Sequence, residues 1–448
     1  MRWTVAAVSL VIHLVTAETP SAVGIETVSA EASIPASLTA LPSETDAVYP
    51  TDYSPSTLTG SVSGTSTTSS ATFGSSSLRN ATATTSSTSQ SSKTRQETTL
   101  HGSGSSSAPR PTSTLACNGY SEFCPRRYSN VTYVMAHNSP FVVENNAASN
   151  QAFHVTTQLN DGIRGLQFET HKPNASSPMM LCHSSCDELN VGPLEDYLVT
   201  VREWLDQNRF EVITILMGND DFVEPTNYTA PFTNSGMLDY LYIPDSVPMG
   251  LDGWPTLSEM ITSNKRVVAM LDYKANQQQV PWLLEQWDYL FQTPFSPTNP
   301  EFPCTAQRPP NQPRNVSADR LYVANHNLNL PIKIPSLGLN ILVPYWPQLD
   351  NTNANFTEKE GAAGTMIDNC TAMWNRPPNF LLVDYYNYGN FNGSTLAAGA
   401  RANNVSYDVA SCCGTAGSSS GTSLRESARS LSQLVGVVMV ICSIIYVV

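Results

Sequence analysis

Positive charge is scarce in this sequence. Its 23 Lys and Arg stand against 37 Asp and Glu, a formal net charge of −14. That balance excludes a nucleic-acid binder, because phosphate contacts need basic patches, and it gives no hold on anionic lipid either. Long apolar runs are almost as scarce. They occur at the two ends, and the C-terminal one, 434–448, falls short of the roughly 20 residues that span a bilayer. No internal repeat is visible, which excludes a solenoid or propeller.

What the ends do contain is directional. Residues 1–17 have a basic start at Arg2, an apolar core from Val5 to Val15 and a small-residue exit, Val-Thr-Ala. This predicts a secretory signal cleaved after Ala17, and His13 leaves with it. At the other end, small residues (417–421), a polar spacer (422–433) and the hydrophobic tail form the pattern of a GPI-attachment signal whose tail is removed. A tail-anchored helix is the rival; the signal peptide and the short tail argue against it. Eight of the nine cysteines would survive loss of the tail, which takes Cys442. An even number in an exported chain predicts disulfides, with Cys117–Cys124, Cys182–Cys186 and Cys304–Cys370 the preferred pairs and Cys412 and Cys413 unassigned. A metal site at Cys182 and Cys186 is the competing reading. Nine Asn-X-Ser/Thr sequons, at positions 80, 130, 174, 227, 315, 355, 369, 392 and 404, fit a glycosylated surface protein.

Composition divides the chain further. Residues 18–115 show no apolar periodicity and, from about 55, are dominated by Ser and Thr; such a stretch cannot bury enough surface to fold and reads as a disordered, O-glycosylated stalk. Residues 116–413 have the make-up of one folded domain, and 414–433 read as a Ser/Gly-rich linker carrying the attachment region. Within the domain, short apolar runs alternate with amphipathic ones, the pattern of βα units and a parallel sheet. Strands are expected near 131–136, 163–168, 179–182, 211–217, 266–271, 288–292, 320–324 and 379–384, eight in all, the number of a TIM-type (β/α)8 barrel. The clearest helix is 194–207, with Leu194, Leu198, Val201 and Leu205 on one stripe. Weaker helices fall at 151–159 and 257–264, and the Pro- and Asn-rich stretch 293–319 reads as an excursion on the rim.

Several expected strands end on polar or titratable groups: His137 and Asn138, Glu169, His183, Asn219 and Asp220, Asp272 and Lys274, Asn325 and His326, and Asp384. A barrel interior is filled by branched aliphatics, and its chemistry sits where strands end and loops begin. Any single histidine there is readily a structural one; the shared position of the whole set is what argues for a site. Two imidazoles in one cleft suit cleavage of a phosphodiester, one taking a proton from the attacking hydroxyl and one returning a proton to the leaving alkoxide. The phosphoryl oxygens also need a cation. Arg164, Lys172 and Lys274 are candidates, as is Ca2+ or Mg2+ held by Asn138 and Glu169.

The order Ala-His-Asn-Ser (136–139), Gly-Ile-Arg-Gly-Leu-Gln-Phe-Glu (162–169) and Leu-Cys-His (181–183) resembles the X-region of phosphatidylinositol-specific phospholipases C, and most nearly the secreted fungal branch of the PLC-like phosphodiesterases. Leu-Glu-Asp-Tyr-Leu (194–198), Glu-Val-Ile-Thr-Ile-Leu (211–216) and Asn-Phe-Leu-Leu-Val-Asp (379–384) add to the likeness, which covers about 117–413. It implies a TIM-type barrel and a two-histidine mechanism. By position His137 resembles the general base, His183 the general acid and Asp384 the carboxylate that orients the base. Asn138 resembles a calcium ligand of the eukaryotic form, and so does Glu169. The chain departs from both known forms, however. Gln167 and Glu169 stand where bacterial members have Asp and then Arg, and Met217-Gly218-Asn219 stands where the eukaryotic form has a further acid.

Three readings remain open on the sequence: a cell-surface phosphodiesterase acting on an inositol phospholipid or glycolipid; a weak or inactive barrel serving as a GPI-anchored surface glycoprotein; and the same barrel with another head group, such as a glycerophosphodiester or a sphingolipid. Asp272, Lys274 and His326 are further candidates for substrate contact, with His154 and His171 unassigned. A monomer held at the membrane through its anchor is expected.

Overall fold

The computed structural model describes residues 116–334, 339–391 and 393–408. The expected signal, stalk, anchor region and tail, together with Cys412, Cys413 and the sequons at 80 and 392, lie outside the described residues. Twelve strands follow in chain order: β1 (Tyr133–Ala136), β2 (Gly165–Thr170), β3 (Met180–His183), β4 (Leu189–Pro193), β5 (Ile213–Asn219), β6 (Val267–Leu271), β7 (Leu283–Glu285), β8 (Leu290–Gln292), β9 (Leu321–Asn325), β10 (Asn329–Ile334), β11 (Leu339–Pro344) and β12 (Phe380–Val383). Eight of them pair in parallel in the order β7-β6-β5-β2-β1-β12-β9-β8, curled as a TIM-type α/β barrel.

Alternation along the strands builds two layers of core. Val134, Leu166, Phe168, Ile215, Ala269, Tyr322 and Leu381 pack outward against helices. Tyr133, Met135, Leu216, Met270, Val323 and Leu382 fill the interior. Both sets follow from the two-residue period of a strand buried on both faces. Gly165 is needed on β2 because a Cβ there would lie 2.6 Å from the terminal methyl of Met135. Aromatic residues close the floor: the Tyr128 ring packs 4.7 Å from Trp254, its hydroxyl meets Thr214 at 2.5 Å, and the Cys117–Cys124 disulfide braces the segment before it. Outside the barrel, the helix Leu194–Gln207 buries Leu194, Leu198, Val201 and Leu205, each contributing roughly 1.5–3 kcal/mol relative to exposure. That helix begins and ends where the apolar stripe predicts.

Two expectations are corrected. The stretch 179–182 is not a barrel stave. The connection 171–179 is too short for a parallel crossover, so the chain folds back, His171 bridges Met180 antiparallel, and β3 pairs with β4 as a separate hairpin above the barrel. The missing stave is β7, which ends on Glu285 and leads straight into the short helix Gln286–Tyr289. That link is also too short for a crossover, and among the described residues no ladder joins β7 to β8, so the barrel is open there. The hairpin of β10 and β11 was not foreseen. All three preferred disulfides form, including Cys182–Cys186 and Cys304–Cys370, and this excludes the metal reading of the CxxxC pair.

Candidate active site

The inward phase of the staves, carried to the strand end or one step past it, delivers the mouth. Beyond Met135 comes His137, beyond Met270 comes Asp272, beyond Val323 comes Asn325, and beyond Leu382 comes Asp384. On β2 both Gln167 and Glu169 point inward. Glu169 lies opposite Gly218 in register, and a Cβ at Gly218 would come within 1.8 Å of its Oε2. The glycine is there to make room for the carboxylate.

His137 is the most firmly held group. Its backbone N–H donates to Val383 O at 2.9 Å, and Gln151 Nε2 donates to its carbonyl at 2.8 Å. Its Nδ1 lies 2.7 Å from Asp384 Oδ1. The carboxylate accepts, so Nδ1 carries the hydrogen and Nε2 is left to take a proton. Asn150 Nδ2 donates to the same Asp384 oxygen at 2.9 Å, and Asn353 Nδ2 fixes the Asp384 carbonyl at 2.8 Å. Because β1 and β12 are neighbours in register from Tyr133–Phe380 to Ala136–Val383, the dyad is fixed by barrel geometry itself.

His183 reaches the same mouth from the β3 hairpin. Its ring sits edge-on to Phe141 at 5.3 Å, and its Nδ1 meets the Ser184 hydroxyl at 3.2 Å. Burial, then the charges of His137 and His171, push its pKa down to about 3. Both rings lie close enough to His183 to act on its charge.

The other wall is acidic. Asp272, buried, accepts from Asn219 N at 2.9 Å; burial pushes its carboxyl up to about 7, against the pull of Arg308 and with the push of Asp220. Asp220 is also raised, by burial first, with His171 and Arg308 acting against the rise, although its side chain is still 45% accessible at its outer edge. Arg308 supplies the opposite charge. It enters from the rim excursion, where its carbonyl accepts from Gln292 N at 2.8 Å. Its guanidinium donates to Tyr273 Oη at 3.1 Å and lies 4.1 Å from the Phe295 ring.

Among the residues expected for substrate contact, Asp272 stands at the mouth, whereas Arg164 and His326 are placed elsewhere. Arg164 is corrected outright: it precedes the first residue of β2, at the floor end, where Nε donates to Glu211 Oε2 at 2.7 Å, Nη1 donates to the carbonyls of Leu159 and Ile163, and the guanidinium lies over Trp204. His326 is corrected too. One residue beyond inward Asn325, it turns outward and is wholly buried, with Nε2 donating to Thr352 O at 2.7 Å and its ring 4.1 Å from Phe302; burial lowers its pKa to about 4. Lys172 turns its ammonium to Ser177 O at 2.8 Å, and Lys274 is exposed on the rim. Sequence reasoning missed Arg308 and Asn150. Each comes from a loop, where no strand period marks the direction of a side chain.

A calcium or magnesium ion needs about six oxygen ligands or more. Asn138 Oδ1 is buried without a hydrogen-bond partner and would suit one. The remaining donors do not. Gln167 Oε1 accepts from Asn138 N at 2.9 Å, Gln167 Nε2 donates to Glu169 at 3.2 Å, and Glu169 shares a hydrogen bond with Asp220. Among the described residues no group of three or more His, Cys, Asp or Glu is placed to hold a metal. Asn138 and Glu169 by themselves fall short of the roughly six oxygen ligands such an ion takes.

Fold and mouth together define a phospholipase C-like barrel. The PI-PLC X 1 family profile matches residues 123–397, and the chain belongs to the PI-PLC X family. A protein of Arthroderma benhamiae described as an uncharacterized secreted protein is 52% identical over 325 residues, covering 72% of each chain. A PI-PLC X domain-containing protein 1 of the same organism is 38% identical over 278 residues, 62% of this chain and 87% of that one. Among solved structures, a mutant phosphatidylinositol-specific phospholipase C from Staphylococcus aureus matches with a TM-score of 0.43 at 14% identity, covering 64% of this chain and 94% of the other.

Proposed function

We propose that this chain is a phosphoric diester hydrolase of the phospholipase C type, acting on the head group of an inositol phospholipid or glycolipid at the cell surface. The observation that carries the reading is the buried His137–Asp384 pair at 2.7 Å, with His183 close enough to feel the charge of His137. His137 Nε2 takes the proton of an inositol hydroxyl next to the phosphodiester. The freed oxygen bonds to phosphorus, the phosphorus–oxygen bond to the lipid alkoxide breaks, and His183 gives that alkoxide its proton. Attack by a hydroxyl of the same molecule gains from proximity and yields a cyclic phosphodiester. His183 is neutral in the empty mouth, since its pKa is about 3. The incoming phosphodiester anion favours the charged ring and so loads the acid only when substrate is present. Exported location is supported by three disulfides, which persist in oxidising compartments, and by the description of the Arthroderma relative as secreted. Anchoring through a GPI group stays with this reading as its address.

The test is a substrate panel of phosphatidylinositol, a glycosylated inositol lipid, a glycerophosphodiester and sphingomyelin in mixed micelles, with and without EDTA. Turnover of the inositol lipids with release of a cyclic phosphate, lost in a His137→Ala/His183→Ala double variant that melts like the parent, is the expected result. Equal turnover by parent and double variant removes the proposal.

A further inference from the structure

The mouth contains a second carboxylate–imidazole pair that the two-histidine scheme leaves unused. His171, just beyond β2, is 8% exposed. Its Nδ1 lies 3.1 Å from Asp221 Oδ1, which makes Nδ1–H the donor. Its Nε2 is buried with no hydrogen-bond partner; the nearest acid oxygen, Asp220 Oδ2, stands 3.8 Å away, beyond hydrogen-bonding range. Ring and carboxylate are both fixed by backbone. His171 N donates to Met180 O at 2.9 Å and Met180 N donates back at 2.7 Å, while Lys172 N donates to the other oxygen of Asp221. A buried ring nitrogen left unpaired is costly, and each such exception calls for an explanation. The same hairpin carries His183, and the two rings act on each other electrostatically.

We propose that His171 is a third substrate-contacting imidazole, whose Nε2–H donates to a non-bridging phosphoryl oxygen while Asp221 holds the ring from its other side. The inference rests on the phosphodiesterase reading above. It answers the shortage that reading leaves: Arg164 is at the floor, the acids do not form a cation shell, and a phosphodiester still needs a charged donor at its oxygens. The assignment makes the end of β2 a phosphate-binding corner in which a histidine ring stands where an arginine or a metal would otherwise serve.

Two measurements on the full chain decide it. The first is kinetics of His171→Gln on phosphatidylinositol micelles, with melting temperature as the control. The expected loss is about 10²-fold in kcat, the scale of one oxyanion donor, with KM changing less than threefold and the melting temperature held. The second is imidazole 15N NMR of the parent, titrated with myo-inositol 1-phosphate: Nε2 of His171 is expected to shift together with the His183 ring. Retention of kcat within threefold, or movement of His137 and His183 without His171, overturns the proposal. Should the parent turn over no inositol lipid, the functional reading fails, and the NMR titration still decides the contact: a His171 shift upholds it and a still His171 removes it.

Discussion

The two halves of the mouth are made differently. His137 stands on a barrel stave, beside the stave that carries Asp384, and every bond that orients it comes from strands or from buried amides of adjoining loops. His183 stands on a hairpin outside the barrel ladder, meets a neighbouring serine, and is tied by a four-residue disulfide loop between Cys182 and Cys186. One imidazole is placed by sheet register and the other by a clasp. The lesson is that the proposed base is built into the barrel, whereas the proposed acid is attached to it through a hairpin.

The largest way to break this contrast is His137→Ala. Loss of the base is expected to cut kcat by ~10³-fold or more, measured on phosphatidylinositol micelles, with the melting temperature within a few degrees of the parent. Next is Asp384→Asn. The amide can turn its NH2 toward Nδ1 and impose the wrong tautomer, so a loss of ~10²-fold is expected with KM little changed; a fall smaller than threefold would mean that the carboxylate does not set the tautomer.

Disulfides sharpen the comparison from the other side. Removing Cys304–Cys370, which closes a separation of 66 residues, is expected to cost about 4 kcal/mol in a urea titration on the loop-closure estimate. Removing Cys182–Cys186 is expected to cost about 2 kcal/mol at most yet lower kcat several-fold, because it loosens His183 alone. An unchanged kcat would show that the clasp is dispensable.

A further effect is on stability against pH. In the unfolded chain His183 takes up a proton near pH 6.5, but in the fold only near 3. Its contribution is therefore present above pH 6.5 and is lost as pH falls through that window. Asp272 acts in the opposite sense: its folded pKa of about 7 lies above the unfolded value, so stability declines as pH rises from about 4 to 7. His183→Gln is expected to flatten the acid limb of a melting curve and Asp272→Asn the neutral limb.

Much of the catalytic half was legible in the chain. Tyr-Val-Met-Ala before His137 and Phe-Leu-Leu-Val before Asp384 are buried strands of fixed two-residue phase, so the first residues past them had to share a rim. The same logic misled at His326, one step out of phase, and at Arg164, which begins its stave rather than ending it. It also misread Met-Leu-Cys-His as a stave, since a short apolar run does not state its partner.

By itself the sequence determined seven of the staves, the helix 194–207 and the short-range pairs Cys117–Cys124 and Cys182–Cys186, because apolar runs, apolar stripes and short loop closures are local properties of a chain. The tertiary structure decided that β3 leaves the barrel, that Arg308 arrives from a rim loop and that His171 keeps an unpaired nitrogen beside Asp221. Those depend on which distant segments meet in space, and no period in the sequence encodes such meetings.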